Sequence, residues 1–166
     1  TTLDTKPRRR RGSLPASVEG RERLRLFCAL RLPDAVLDVL CEWQALELGE
    51  GRLVPRSNLH VTLAFLGNRA AGELPEIAGA LRESAEVAQP IRLLPERYRE
   101  TRSVGMFVLK DLAGSATRLA GALFARLEAL GVYERERRAW LPHVTVLRFR
   151  RPPRLKPHGM EMVGRP

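Results

Sequence analysis

Long apolar runs are missing from this sequence. No stretch of about 18 uncharged hydrophobic residues occurs, so no membrane-spanning helix is expected. Cysteine is scarce: Cys28 and Cys41 stand at no metal-ligand or redox spacing, and two reduced core thiols are the expectation. Aromatic residues make up 5% of the chain and histidine occurs three times. There is no Gly-x-Ser-x-Gly elbow and no Gly-x-x-x-x-Gly-Lys loop, which argues against the common serine hydrolases and P-loop nucleotidases. The arginine-rich start lacks the apolar stretch and cleavage site of a secretory signal, so a soluble, cytoplasmic protein is expected. What is present is 166 residues at 44% hydrophobic, the length and balance of one modest domain with a real core.

The net charge of +10 is unevenly spread. Residues 1–23 carry +4 and residues 148–166 carry +5, leaving the segment between them at +1. The excess therefore sits in two tails, which would draw a polyanion in a salt-sensitive, sequence-blind way or simply aid solubility.

Residues 1–22 mix Pro, Gly and Ser with the run Arg8 to Arg11 and show almost no apolar periodicity, as a disordered basic lead-in would. Regular patterning starts at Leu24. A strand (LRLFCAL) leads into a helix over about 33–48, with Val36, Leu37, Leu40 and Trp43 at helical spacing. LHVTLAFL at 59–66 reads as a strand closed by Gly67 and Asn68; a helix over 73–88 and a short strand near 91–95 follow. The second half repeats the order: strand 104–110, helix 115–130, a charged connection, then the β run WLPHVTVLRF. Phe27 precedes His60 by about as much as Phe107 precedes His143, which suggests an internal duplication. A domain over 23–149 is expected, with lobe one at about 23–98 and lobe two at about 99–149, followed by a Pro/Arg-rich tail over 150–166 with no convincing helix. Lobe two is short of the helix and strand that follow the motif in lobe one, as if its last elements were absent or the chain truncated.

Two of the three histidines lie in nearly identical phrases, NLHVTLAFLG and LPHVTVLRF. In a strand, residues i and i+2 share a face, so His60 joins Thr62 and His143 joins Thr145, while Val61, Leu63, Phe65, Val144 and Val146 suit the core side. One His-x-Thr is a weak signal; two in matching elements of a duplicated chain are not. Facing one cleft across a pseudo-twofold axis, two imidazoles and two hydroxyls suit in-line displacement at phosphorus. One histidine accepts a proton from the attacking oxygen, the other donates to the leaving oxygen, and the threonines hydrogen-bond the nonbridging oxygens. A strained cyclic phosphodiester needs no metal for this.

These phrases closely resemble the paired signatures of the two-histidine (2H) phosphoesterases, and most of all their 2'-5' RNA ligase branch, the RNA 2',3'-cyclic phosphodiesterases. The similarity covers roughly residues 24–149, including RLFCALRLP and RLVPRSNLH. It implies an α+β, bilobal, duplicated LigT-like fold: an antiparallel sheet with helices in each lobe and a His-x-Thr strand facing the cleft. It also implies metal-independent and cofactor-free hydrolysis of an RNA 2',3'-cyclic phosphate end to a 2'-phosphate by a monomer, leaving room for reversible 2'-5' ligation. Carried over, His60 resembles the general acid for the 3'-oxygen and His143 the general base toward water, with Thr62, Thr145 and Arg148 on phosphate. Simple alternation sets Arg148 on the face opposite His143, so it can join the site only where the strand bends or ends. The arginine-rich lead-in and the short second lobe depart from the family pattern.

Other features have plainer readings. Trp43 suits the core; Trp140, Phe65 and Phe149 suit the core or, alternatively, a base-stacking surface. His158 in the tail is expected to be solvated, and three histidines with two cysteines lack the spacing of a zinc site. Arg97, Tyr98, Arg99 and Arg102 form a basic patch that would touch RNA or merely face solvent. Two rivals remain: a phosphodiesterase acting on small cyclic or 2'-5' linked nucleotides, and a catalytically weak RNA-binding protein. The binding reading predicts RNA affinity that falls steeply with salt, falls on removal of residues 1–23 and ignores His60→Ala, all measurable by equilibrium titration.

Overall fold

The structure, a computed structural model, describes residues 22–160. The lead-in expected over 1–22 thus lies, apart from Glu22, outside the described residues, as does 161–166 of the tail. Six strands and three α-helices follow in the order β1 (Arg23–Arg31), α1 (Asp34–Glu47), β2 (Arg52–Leu53), β3 (His60–Ala70), α2 (Leu74–Glu86), β4 (Leu93–Glu100), β5 (Val104–Asp111), α3 (Ser115–Ala129) and β6 (His143–Arg148). The α+β class and the three helices follow the sequence pattern to within a residue or two. β3 runs past Gly67 to Ala70, and β4 extends through Arg97 and Arg99, which the sequence placed in a connection.

The strands form one antiparallel sheet in the order β1-β3-β6-β5-β4, with β2 beside the end of β6. A separate sheet in each lobe is therefore not what the chain builds. The halves meet at β3 and β6, whose paired register is the single match Val61 opposite Val144. Beyond it the two strands part, and β2 fills the gap by pairing Leu53 with Leu147 and Arg52 with Arg148. β4, assigned by sequence mostly to lobe one, pairs with β5 of the second half.

The helices cross over between halves. α2 and α3 bury Ile77, Ala80, Leu119, Leu123 and Leu127 against Leu63, Ala64 and Leu66 of β3 and Cys28 of β1. α1 buries Leu40 and Trp43 against Phe107, Val144, Val146 and Leu147 of β5 and β6. α1 of the first half thus covers strands of the second and α3 of the second half covers strands of the first, while α2 stays over β1 and β3 of its own half, so a cut near residue 98 would pass through both clusters. The tail is no loose end up to Met160. Arg154 and Leu155 donate backbone N–H to Glu100, His158 donates its N–H to Glu47, the Trp43 indole donates to the His158 carbonyl, and Leu155 and Met160 rest on the second cluster. Both cysteines are free; Cys28 is buried, and burial pushes its thiol pKa up.

Local irregularity decides which side chains face outward. In β3, Cys28 pairs with Ala64 and Ala29 with Thr62, so Leu63 is an extra residue in the ladder. In β6, Gly105 pairs with Leu147 and Met106 with Thr145, so Val146 is extra. Both are β-bulges, and both fall on the residue just after the His-x-Thr threonine. A bulge frees backbone carbonyls and needs donors to satisfy them. The indole of Trp140 donates to the Thr62 carbonyl at 3.1 Å; the buried Gln44 amide donates to the Val146 carbonyl at 2.8 Å and to that of Val54 at 3.1 Å.

Gln44→Ala removes the side-chain donor to the Val54 carbonyl and one of two donors to the Val146 carbonyl, which keeps the Val54 N–H, at a cost of about 2 kcal/mol. The melting temperature should fall by roughly 5 °C in a thermal scan, and a change below about 1 °C would show that water replaces the amide.

Candidate active site

The helices and both core clusters lie on one face of the sheet; the histidine motifs lie on the other. Val61 and Val144 are 0% and 2% exposed, so their opposition pins the core side of the seam. Antiparallel register then sets His60 across from Thr145 and Thr62 across from His143, all four on the outer face. Cross-strand neighbours stand about 5 Å apart and diagonal ones about 7 Å, which brings the two imidazoles to opposite corners of a small quadrilateral. Over it opens a cleft of about 660 Å³ whose lining includes His60, Thr62, Thr145 and Arg148, with Phe27, Arg52 and the 52–58 segment as walls. His143 stands just outside that lining, half-buried at the start of β6.

The bulges complete the set. Without one, Arg148 would point into the core. With Val146 added to the ladder, Val146 and Leu147 both turn inward and Arg148 emerges on the face of His143 and Thr145. The equivalent shift in β3 turns Leu63 and Ala64 inward and Phe65 outward, at 51% exposure. Phe65 is therefore not a core residue, contrary to simple alternation. Its partner across the ladder, Phe27, is 49% exposed and stacks on the His60 ring at 4.8 Å between centroids. Phe107, by contrast, is buried at 1%, so the two phenylalanines used to align the halves are not counterparts. The Arg25 guanidinium lies over Phe65 at 5.0 Å and extends this aromatic shelf.

Hydrogen bonds define the two imidazoles differently. His143 Nδ1 is 2.7 Å from the Leu141 carbonyl oxygen. A carbonyl can only accept, so the hydrogen sits on Nδ1 and Nε2 of the neutral ring is left as a free acceptor. His60 uses Nε2 instead, 3.1 Å from the Thr62 hydroxyl. Thr62 is in turn fixed through its carbonyl by Trp140.

Other sequence candidates settle elsewhere. Phe149 and Trp140 are half-buried against the core. Tyr98 is no free stacking group: its hydroxyl donates to Glu100, and burial together with that carboxylate pushes its pKa up strongly. Arg97 pairs with Glu96. The His158 side chain is 91% exposed, near the Glu47 carboxylate. Among the described residues no three His, Cys, Asp or Glu side chains gather as metal ligands, and no helix is long and apolar enough to cross a membrane. A small apolar cavity of about 60 Å³ under α1, walled by Leu40, Phe107 and Met160, holds no titratable group. Sequence reasoning missed Arg52 and Gln44. Arg52 became visible only when β2 was found beside β6, and nothing in the local pattern marks Gln44 as more than a polar residue on a helix.

Known proteins share this architecture. The chain is 32% identical over 148 residues to an RNA 2',3'-cyclic phosphodiesterase of Thermus thermophilus, covering 81% of this chain and 73% of that protein. It is 29% identical over 130 residues to the Escherichia coli protein of that name, covering 75% of this chain and 71% of the other. The crystal structure of E. coli LigT complexed with 3'-AMP superposes with a TM-score of 0.72 at 25% identity, over 85% of this chain and 81% of that one. A crystal structure of a T. thermophilus protein gives 0.66 at 31% identity, over 82% and 80%. The family profile described as the 2'-5' RNA ligase superfamily matches residues 32–163, and the chain belongs to that superfamily.

Proposed function

We propose that this protein hydrolyses RNA 2',3'-cyclic phosphate ends to 2'-phosphates, with His60 and His143 as the acid–base pair and Thr62, Thr145 and Arg148 on the phosphate. The observation that carries the reading is the duplicated His-x-Thr-bulge. Two equivalent strand segments each present an imidazole and a hydroxyl to the same face, across one seam. The two Thermus and Escherichia relatives named as RNA 2',3'-cyclic phosphodiesterases support the substrate class.

The cyclic phosphate would lie between the motifs. His143, with Nδ1–H held by Leu141, offers Nε2 to take a proton from water as its oxygen attacks phosphorus. The bond from phosphorus to the 3'-oxygen breaks in line, and His60 delivers a proton to that oxygen, leaving the phosphate on the 2'-oxygen. Water thus supplies the hydroxyl on phosphorus, and the two histidines end with exchanged protonation states that solvent resets. Charge growing on the nonbridging oxygens meets the two threonine hydroxyls and the Arg148 guanidinium. With a 5'-hydroxyl in place of water as the attacking group, the same displacement of the 3'-oxygen from the cyclic phosphate would leave a 2'-5' phosphodiester, which is the ligation direction.

A cyclic-phosphate RNA should be hydrolysed by the unaltered chain with chelator present. His60→Ala and His143→Ala should each cost on the order of 10² to 10⁴ in turnover while RNA affinity stays largely in place. Thr145→Val should cost about 10² or more. Normal turnover by both histidine variants would sink the mechanism, and no turnover by the unaltered chain, with salt-sensitive RNA affinity that ignores His60→Ala, would favour the binding-protein alternative.

A further inference from the structure

Arg52 and Arg148 are direct cross-strand partners in the β2–β6 pair, both exposed and both on the cleft wall. Like charges set opposite each other in a sheet repel. The ion pairs of the described residues employ Arg56, Arg69, Arg97, Arg126, Arg135, Arg138 and His158, and none reaches Arg52 or Arg148. Arg56, only four residues on, shows the contrast: its guanidinium turns away to Asp34 and Asp38 on α1. A repelling pair with no carboxylate, kept on the wall of the cleft, fits an anion supplied by the ligand.

A cyclic mononucleotide offers a single phosphate, which the two His-x-Thr motifs and Arg148 take up, so it leaves Arg52 without a partner. Arg148 lies three residues past Thr145, about 10 Å along the strand at most, so its side chain reaches back to the scissile phosphate while Arg52, across the ladder from it, stands at a span that one nucleotide bridges. The basic surface continues outward from there. Val104 pairs with Arg148 and the Phe149 N–H donates to Ser103, so the β4–β5 turn with exposed Arg102 borders exposed Arg150 and Arg151. The opposite end of the site, past Thr62, holds the exposed faces of Phe27 and Phe65 instead. Aromatic faces take a base, and unpaired arginines take phosphates.

Resting on the hydrolase reading above, we infer that Arg52, beside Arg148, forms a second phosphate subsite for the internucleotide phosphate on the 5' side of the terminal nucleotide. The terminal base lies toward Phe27 and Phe65, and the RNA leaves across the β6 end. The substrate is then the end of an oligonucleotide rather than a free cyclic mononucleotide, and Arg52 determines that preference.

The test is steady-state hydrolysis of a cyclic-phosphate pentaribonucleotide and of a 2',3'-cyclic mononucleotide by the unaltered chain, Arg52→Ala and Arg52→Lys. Arg52 is exposed, and an unchanged melting temperature verifies folding. The unaltered chain should prefer the pentamer in kcat/KM. Arg52→Ala should lose about tenfold on the pentamer, chiefly through KM, and several-fold less on the mononucleotide, with Arg52→Lys recovering part of the difference. On the pentamer the salt dependence of kcat/KM should become shallower by about 0.7 in log–log slope, the share of one single-strand phosphate contact. Equal losses on both substrates would overturn the inference by assigning Arg52 to the scissile phosphate, and no loss on either would overturn it outright. If the unaltered chain hydrolyses neither substrate, the hydrolase reading itself fails and the subsite falls with it, an outcome separate from the other two.

Discussion

Val61 opposite Val144 is the sole register match between β3 and β6, and the cleft depends on it. Both valines are driven inward by burial among Phe107, Leu59 and Val146. Before the bulges both strands alternate regularly, so the same packing that hides the valines sets His60, Thr62, His143 and Thr145 outward. A slip by one residue would send the imidazoles into the core. The chemistry of the outer face is thus held by apolar contacts on the inner one.

The two motifs repeat one local arrangement. In both halves the bulge follows the threonine, and in both the freed carbonyl is met by a side chain from a distant element, Trp140 for β3 and Gln44 for β6. The crossed helices bind the halves further, because α1 covers β5 and β6 while α3 covers β1 and β3. Symmetry ends where function needs a difference. Five residues after each histidine the bulge exposes Phe65 in one half and Arg148 in the other, an aromatic end and a cationic end for an asymmetric ligand.

The helices were legible because a 3.6-residue period survives in Leu, Ile and Val spacing whatever they pack against. The pairing of the motifs was legible because a repeated His-x-Thr is visible without any structure. The bulges were not read, although a trace of them is present: Leu63-Ala64 and Val146-Leu147 are adjacent apolar pairs that break strict alternation. Read as bulges, they would have turned Phe65 outward and brought Arg148 to the site. What no local pattern held was long-range. The pairing of β2 with β6, the single continuous sheet, the exchange of helices between halves and the docking of the tail through Glu47 and Glu100 all depend on residues far apart in sequence. Arg52 belongs to that class, since its neighbour Arg148 is almost a hundred positions away.

Two histidines in distinct hydrogen-bonding states that face one phosphate would be told apart by imidazole nitrogen NMR. The chain has three histidines, and solvent-exposed His158 serves as an internal reference. In the neutral form His143 should show the tautomer protonated at Nδ1, and adding a 2'-phosphorylated ribonucleotide should shift both His60 and His143 while leaving His158 in place. A shift at one site histidine alone, or an Nε2-protonated His143, would contradict the account.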